Sequence, residues 1–150
     1  MKTIILILSV FLATSCSNDD DNNVTAQSTP IAFTEIGKGA LFGNGSEGIV
    51  ESNMVIDNTT DWQNLMSQMN SVNNVTDEFS ETNIDFNTYI VIAIFLEVKP
   101  NGWQVEISSI IENVSSIVVS TVEAEGINLA VTQPFYIVKI PVTNKPIEFE

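Results

Sequence analysis

The stretch FNTYIVIAIFLEVKPNGWQVEI (residues 86–107) decides the fold. From Tyr89 to Leu96 it is apolar at every position, too short for a buried helix and rich in β-branched residues. A run of that kind is a strand buried on both faces, so it is central in its sheet and covered by a layer on each side. The run breaks at Lys99-Pro100-Asn101-Gly102. Proline presets φ, and Asn and Gly tolerate the left-handed conformations of tight turns, so a hairpin is expected here. Trp103, Val105 and Ile107 then alternate with Gln104, Glu106 and Ser108, which predicts a strand with one wet face.

Working outward, IAFTEI (31–36) alternates as a short first strand, GKGALFGNGSEG (37–48) reads as a loop or loose hairpin, and IVESNMVI (49–56) reads as a second strand. In TTDWQNLMSQMNSVN (59–73) the period changes. Trp62, Leu65, Met66, Met69 and Val72 fall on one helical stripe, with Thr60 and Gln63 placed as a capping box and Asp61 suited to the helix start. VNNVTDEFSETNID (72–85) reads as loop, SIVVSTVEA (116–124) and PFYIVKIP (134–141) as strands, and PIEF (146–149) as a short edge. The expected fold is α+β and mostly β. It has six or seven mainly antiparallel strands with one amphipathic helix packed on the sheet.

The N-terminus addresses the compartment. Met1-Lys2 and the short apolar run TIILILSVFLA (3–13) form a secretory signal peptide, expected over 1–15. Small residues Ala13, Thr14 and Ser15 precede Cys16, the one cysteine. This stretch resembles the lipobox of bacterial lipoproteins. That resemblance implies a lipid on Cys16 and an outer-membrane lipoprotein in the envelope of a Gram-negative bacterium. Each buried lipid methylene contributes about 0.8 kcal/mol, so two or three acyl chains anchor a small domain firmly. Residues 16–30 are expected to be the lipidated cysteine and an acidic disordered tether, because SNDDDNN (17–23) cannot bury enough surface to fold. The acidic run after Cys16 also resembles a surface-export signal. Residues 31–150 are expected to form one globular domain.

Composition excludes several functions. The formal charge is −14, with five Lys and Arg against nineteen Asp and Glu, and it is one unit more negative without Lys2. Such a chain is repelled by nucleic acid, so none is expected as a partner. No histidine is present, and lipidation consumes the one thiol, which removes the commonest nucleophile–base pairs and the usual zinc ligands. No calcium loop and no phosphate-binding glycine motif appears. No catalytic residue, metal or cofactor is therefore expected, and the chain reads as a non-enzyme.

Four segments resemble a known family. DFNTYIVIAIFLEVKPNGWQVEI (85–107), VTQPFYIVKIP (131–141) and PIEF (146–149), with GIVESNMVIDNTTDWQNL (48–65) upstream, are similar to the C-terminal domain of the protease complex subunit PrcB. The resemblance implies a non-catalytic accessory or stabilising subunit of a secreted or envelope protease. Family members usually carry Lys-Pro-Thr-Gly-Gly-aromatic at the corner. Here Lys99-Pro100-Asn101-Gly102-Trp103 is one residue shorter. The expected partner-binding residues are Lys99, Pro100, Asn101, Gly102 and Trp103, with Gln133, Pro134, Phe135 and Tyr136 at the opening of the last long strand. The alternatives are a direct protease inhibitor using the Pro100–Trp103 loop and a surface module binding glycan or another ligand.

Overall fold

The computed structural model describes residues 28–150; the signal peptide, Cys16 and residues 16–27 of the tether lie outside the described residues. Eight strands and one α-helix follow in the order β1 (Thr29–Pro30), β2 (Thr34–Phe42), β3 (Ser52–Ile56), α1 (Thr59–Met69), β4 (Tyr89–Phe95), β5 (Gln104–Glu112), β6 (Ile117–Ala124), β7 (Thr132–Pro141) and β8 (Ile147–Phe149). The class is α+β and mostly β, with slightly more strands than the sequence predicts. Two four-stranded sheets form, ordered β2-β7-β4-β3 and β1-β5-β6-β8. All pairings are antiparallel except β6 with β8.

The first sheet is the middle layer of three. In β4, Val91, Ala93 and Phe95 face one core with Trp62, Leu65 and Met69 of α1. Ile90, Ile92 and Ile94 face the other, with Val105, Ile107, Ile110, Ile117 and Val119 of the second sheet. β7 alternates the same way, Phe135 and Ile137 toward the helix and Tyr136, Val138 and Ile140 toward the second sheet. Every residue of β4 after Tyr89 is buried. A strand apolar on both faces needs a cover on each, and the helix and the second sheet supply them.

Helix α1 is attached by its stripe of Trp62, Leu65 and Met69. Trp62 stacks on Phe79 and donates from Nε1 to the Thr82 carbonyl at 2.8 Å. The N-cap is Asn58 rather than Thr60. Its side chain accepts from the Asp61 N–H at 3.0 Å and donates to the Asp61 carboxylate at 2.8 Å. The helix ends at Met69 because the Asn70 side chain turns to bond Thr76. Val72 is therefore off the stripe and exposed.

Three expectations about the chain path are corrected. IAFTEI is not one strand: β1 pairs with β5 from Thr29, and Ile31 to Phe33 cross to the other sheet before β2 begins. The glycine-rich run is not a loop until Gly43, since Gly37 to Phe42 lie in β2. Gly37 is there because the Phe79 ring lies against its backbone, where a Cβ would collide. The Lys-Pro-Asn-Gly corner is not a hairpin, since it carries the chain from β4 in one sheet to β5 in the other.

These contacts set two stability predictions, read from denaturant midpoints. Trp62→Ala lowers stability by about 3–5 kcal/mol. Gly37→Ala lowers it by about 1–3 kcal/mol through the Phe79 clash.

Candidate functional site

The corner sits at one end of the sandwich, where β4 ends and β5 and β7 begin. Past β4 the chain still runs beside the entry to β7. Leu96 N–H donates to the Pro134 carbonyl at 3.0 Å, and Lys99 and Thr132 exchange backbone hydrogen bonds of 2.8 and 2.9 Å. Asn101 (φ 63°) and Gly102 (φ 60°) then make the left-handed reversal. Asn and Gly are among the few residue types that adopt it with little strain.

The corner is fastened to the β6–β7 loop, residues 125–131. Asn101 donates to the Glu125 carboxylate at 2.7 Å, and Gly102 N–H donates to the Ala130 carbonyl at 3.0 Å. The Asn128 side chain occupies the place of a Gly102 Cβ. Lys99 pairs with Glu123 and lies over the Trp103 ring, its Nζ 4.4 Å from the centroid. Trp103 is half-buried and outside both cores.

Beside it the loop presents what the sequence reading missed. Ile127 is fully exposed, Leu129 is 91% exposed and Val131 is half exposed. Phe42 and Val98 are also exposed at this end of the sandwich. The signal was available, since EGINLAV (125–131) intersperses Ile127, Leu129 and Val131 with the turn formers Gly126 and Asn128 and has no strand or helix element assigned to bury them.

Gln133, Pro134, Phe135 and Tyr136 are a correction, because all four are buried. Gln133 is 1% exposed, and its amide nitrogen donates to the carbonyls of Ile49 and Leu96, each at 2.9 Å. It ties the chain entering β3 to the end of β4. Tyr136 lies in the core between the sheets. Burial, with the Glu35 carboxylate adding to it, pushes its phenol up to about 12. Phe135 alone of the four shares a cavity wall with Trp103.

That cavity is a cleft of about 260 Å³ between the edges of β2 and β5. Lys38, Gly39 and Ala40 line one side and Gly102 to Glu106 the other. Lys38 bridges Glu106 at 3.3 Å and Glu35 at 3.7 Å across exposed surface. The hydrogen bond to Glu106, with the Glu35 charge, holds Lys38 above the ordinary lysine pKa, so it stays charged. Among the described residues no three His, Cys, Asp or Glu side chains are placed to hold a metal, and no helix is long and apolar enough to cross a membrane.

Compared with protein-family models, curated proteins and solved structures, the chain gives no match.

Two measurements check these placements. Gln133→Leu orphans two buried carbonyls and lowers stability by about 1–3 kcal/mol for each, read from the denaturant midpoint. Tyr136 has a folded-state pKa above the unfolded value of about 10, so its stabilisation is complete below pH 10 and is lost as pH rises toward 12. Tyr136→Phe removes that part of the alkaline loss, and its absence from the phenolate absorbance titration identifies the late-titrating group.

Proposed function

We propose that the chain is a lipid-anchored protein-binding module of the cell envelope, without catalysis of its own, serving as an accessory or stabilising subunit of a protease complex. The observation that carries the binding role is the pair Ile127 and Leu129, held out to solvent on a loop fastened to the Lys99–Trp103 corner. Exposed apolar side chains of this size, clustered on an ordered loop, mark interaction surfaces.

Charge selects the occupant. Glu97, Glu123 and Glu125 surround the apolar loop in sequence and space, and its one cation, Lys99, is already paired with Glu123. The fitting partner is a protein with an apolar groove rimmed by lysine or arginine. Position supports a protein over the anchoring membrane. β1, the end of the chain nearest Cys16, pairs with Ile111 and Glu112, whereas the corner precedes Gln104. The length of β5, roughly 27 Å at the usual rise per residue, separates the two ends. The accessory role rests on the resemblance of residues 48–65, 85–107, 131–141 and 146–149 to the PrcB domain. Direct inhibition by the corner alone is the weaker reading, since Asn101 and Gly102 are bound to the neighbouring loop and do not project by themselves.

The test is capture from intact cells with the full chain tagged after Glu150. After brief cross-linking, one envelope protein is expected with the wild type. It is lost in Ile127→Asp/Leu129→Asp and reduced in Trp103→Ala, with melting temperatures unchanged. Equal recovery by wild type and double variant overturns the contact surface. A captured partner unrelated to proteolysis overturns the accessory role.

A further inference from the structure

We infer that the cleft between β2 and β5 takes an extended segment of a partner protein, which adds as a strand between the two sheets. The inference rests on the protein-binding reading above and uses the adjoining cleft, which shares Gly102, Trp103, Asn128 and Ala130 with the corner and its loop.

The walls of the cleft have no strand partner on its side, although the Phe42 N–H of β2 already donates to the Glu47 carboxylate at 2.9 Å and the Ile36 carbonyl accepts from the Ser80 N–H at 2.8 Å. β2 is the end strand of its sheet and pairs with β7 alone. β5 pairs with β1 only at Ile111 and Glu112, so Gln104 to Ile107 is bordered only by β6. Register shifts at Glu35/Gly37 and at Ile107/Ser109 interrupt both edges. Between them lie two short edges, Lys38–Ala40 and Gln104–Glu106, that line the two sides of the cleft. Bulges of this kind blunt the rest of an edge against pairing and leave these stretches available.

The spacing suits one strand. Strands pair about 4.8 Å apart and stacked sheets lie roughly 10 Å apart, so a chain entering this open side of the sandwich pairs with one edge and lies within side-chain reach of the other. Small residues leave the room: Gly39, Ala40 and Ala130 line the opening, and Val105, which faces the space between the sheets, gives an apolar floor. The side-chain tie across the mouth is the exposed Lys38–Glu106 pair, and exposed pairs are weak enough to open.

Charge specifies the segment. All four lysines among the described residues, Lys38, Lys99, Lys139 and Lys145, are already ion-paired with glutamates. At the mouth two carboxylates, Glu35 and Glu106, share the single ammonium of Lys38. The complementary segment carries a small apolar side chain toward Val105 and a lysine or arginine beside it.

The probe is a labelled peptide of alternating lysine and valine, titrated by fluorescence anisotropy against the full chain in detergent. Its twin carries the same charges, with alternate backbone nitrogens methylated to remove donors. The first peptide is expected to bind, the methylated one about tenfold more weakly. Ala40→Trp, which fills the opening, is expected to abolish binding of the first. Equal affinity for both peptides shows attraction by charge alone and overturns the inference, as does failure of the first to bind. Dimerisation that excludes the peptide overturns it too, since a second copy then fills the cleft. Should the Ala40→Trp substitution disturb folding, the methylation comparison on the wild type decides. Capture that depends on Ile127 and Leu129 without peptide binding removes this inference alone. Peptide binding without such capture removes the loop contact alone.

Discussion

The pairing of β4 with β7 is the constraint on which the other elements depend. Seven residue pairs, from Tyr89↔Pro141 to Phe95↔Phe135, join two strands with apolar side chains on both faces. Neither face can be left to water. The helix is needed on one side and the second sheet on the other, and the short strands β1 and β8 extend that second cover. On the helix side the cover is a chain of rings. Trp62 meets Phe79, Phe79 meets Phe135 and Phe135 meets Phe95, each pair with centroids 6.1 Å apart. Gly37 admits Phe79 to this chain, so a residue of an edge strand is fixed by the aromatic packing of the core.

The same pairing shapes the candidate site. β4 ends beside the opening of β7, and the chain must leave the middle sheet there to build the outer one. The corner at Asn101-Gly102 makes that departure, and the β6–β7 loop lies against it because β7 must return to the same place. Buried Gln133 holds the junction from within, while Trp103 and the exposed Ile127 and Leu129 lie on its outer side. Structural and candidate binding residues are neighbours in sequence here but have separate roles.

How much of this was legible in the sequence follows from the range of each interaction. The two-sided burial of Tyr89–Leu96 and the stripe of Trp62, Leu65 and Met69 are local periodic patterns, and both were readable. The misreadings concern longer-range partners. Lys-Pro-Asn-Gly encodes a reversal, but turn chemistry does not say which sheet the next strand joins. Gly37 and Gly39 look like loop residues until Phe79 and Phe135 are placed against them. Gln133 and Tyr136 looked like surface candidates beside the corner, yet the central place of β7 buries them. The exposed loop escaped notice because isolated Ile, Leu and Val residues are ordinarily assigned to a core.

The ion-paired lysines bear on how the domain withstands digestion. An enzyme that cuts after basic residues has only four places to try among the described residues, with no arginine in the chain. Two of them, Lys99 and Lys145, are followed by proline, whose ring obstructs cleavage of that bond. The others, Lys38 and Lys139, lie within strands β2 and β7, where the backbone is held in a ladder and cannot enter a protease cleft without local unfolding. The native domain thus offers a trypsin-like protease no readily cut bond, a useful property for a molecule proposed to spend its life beside one.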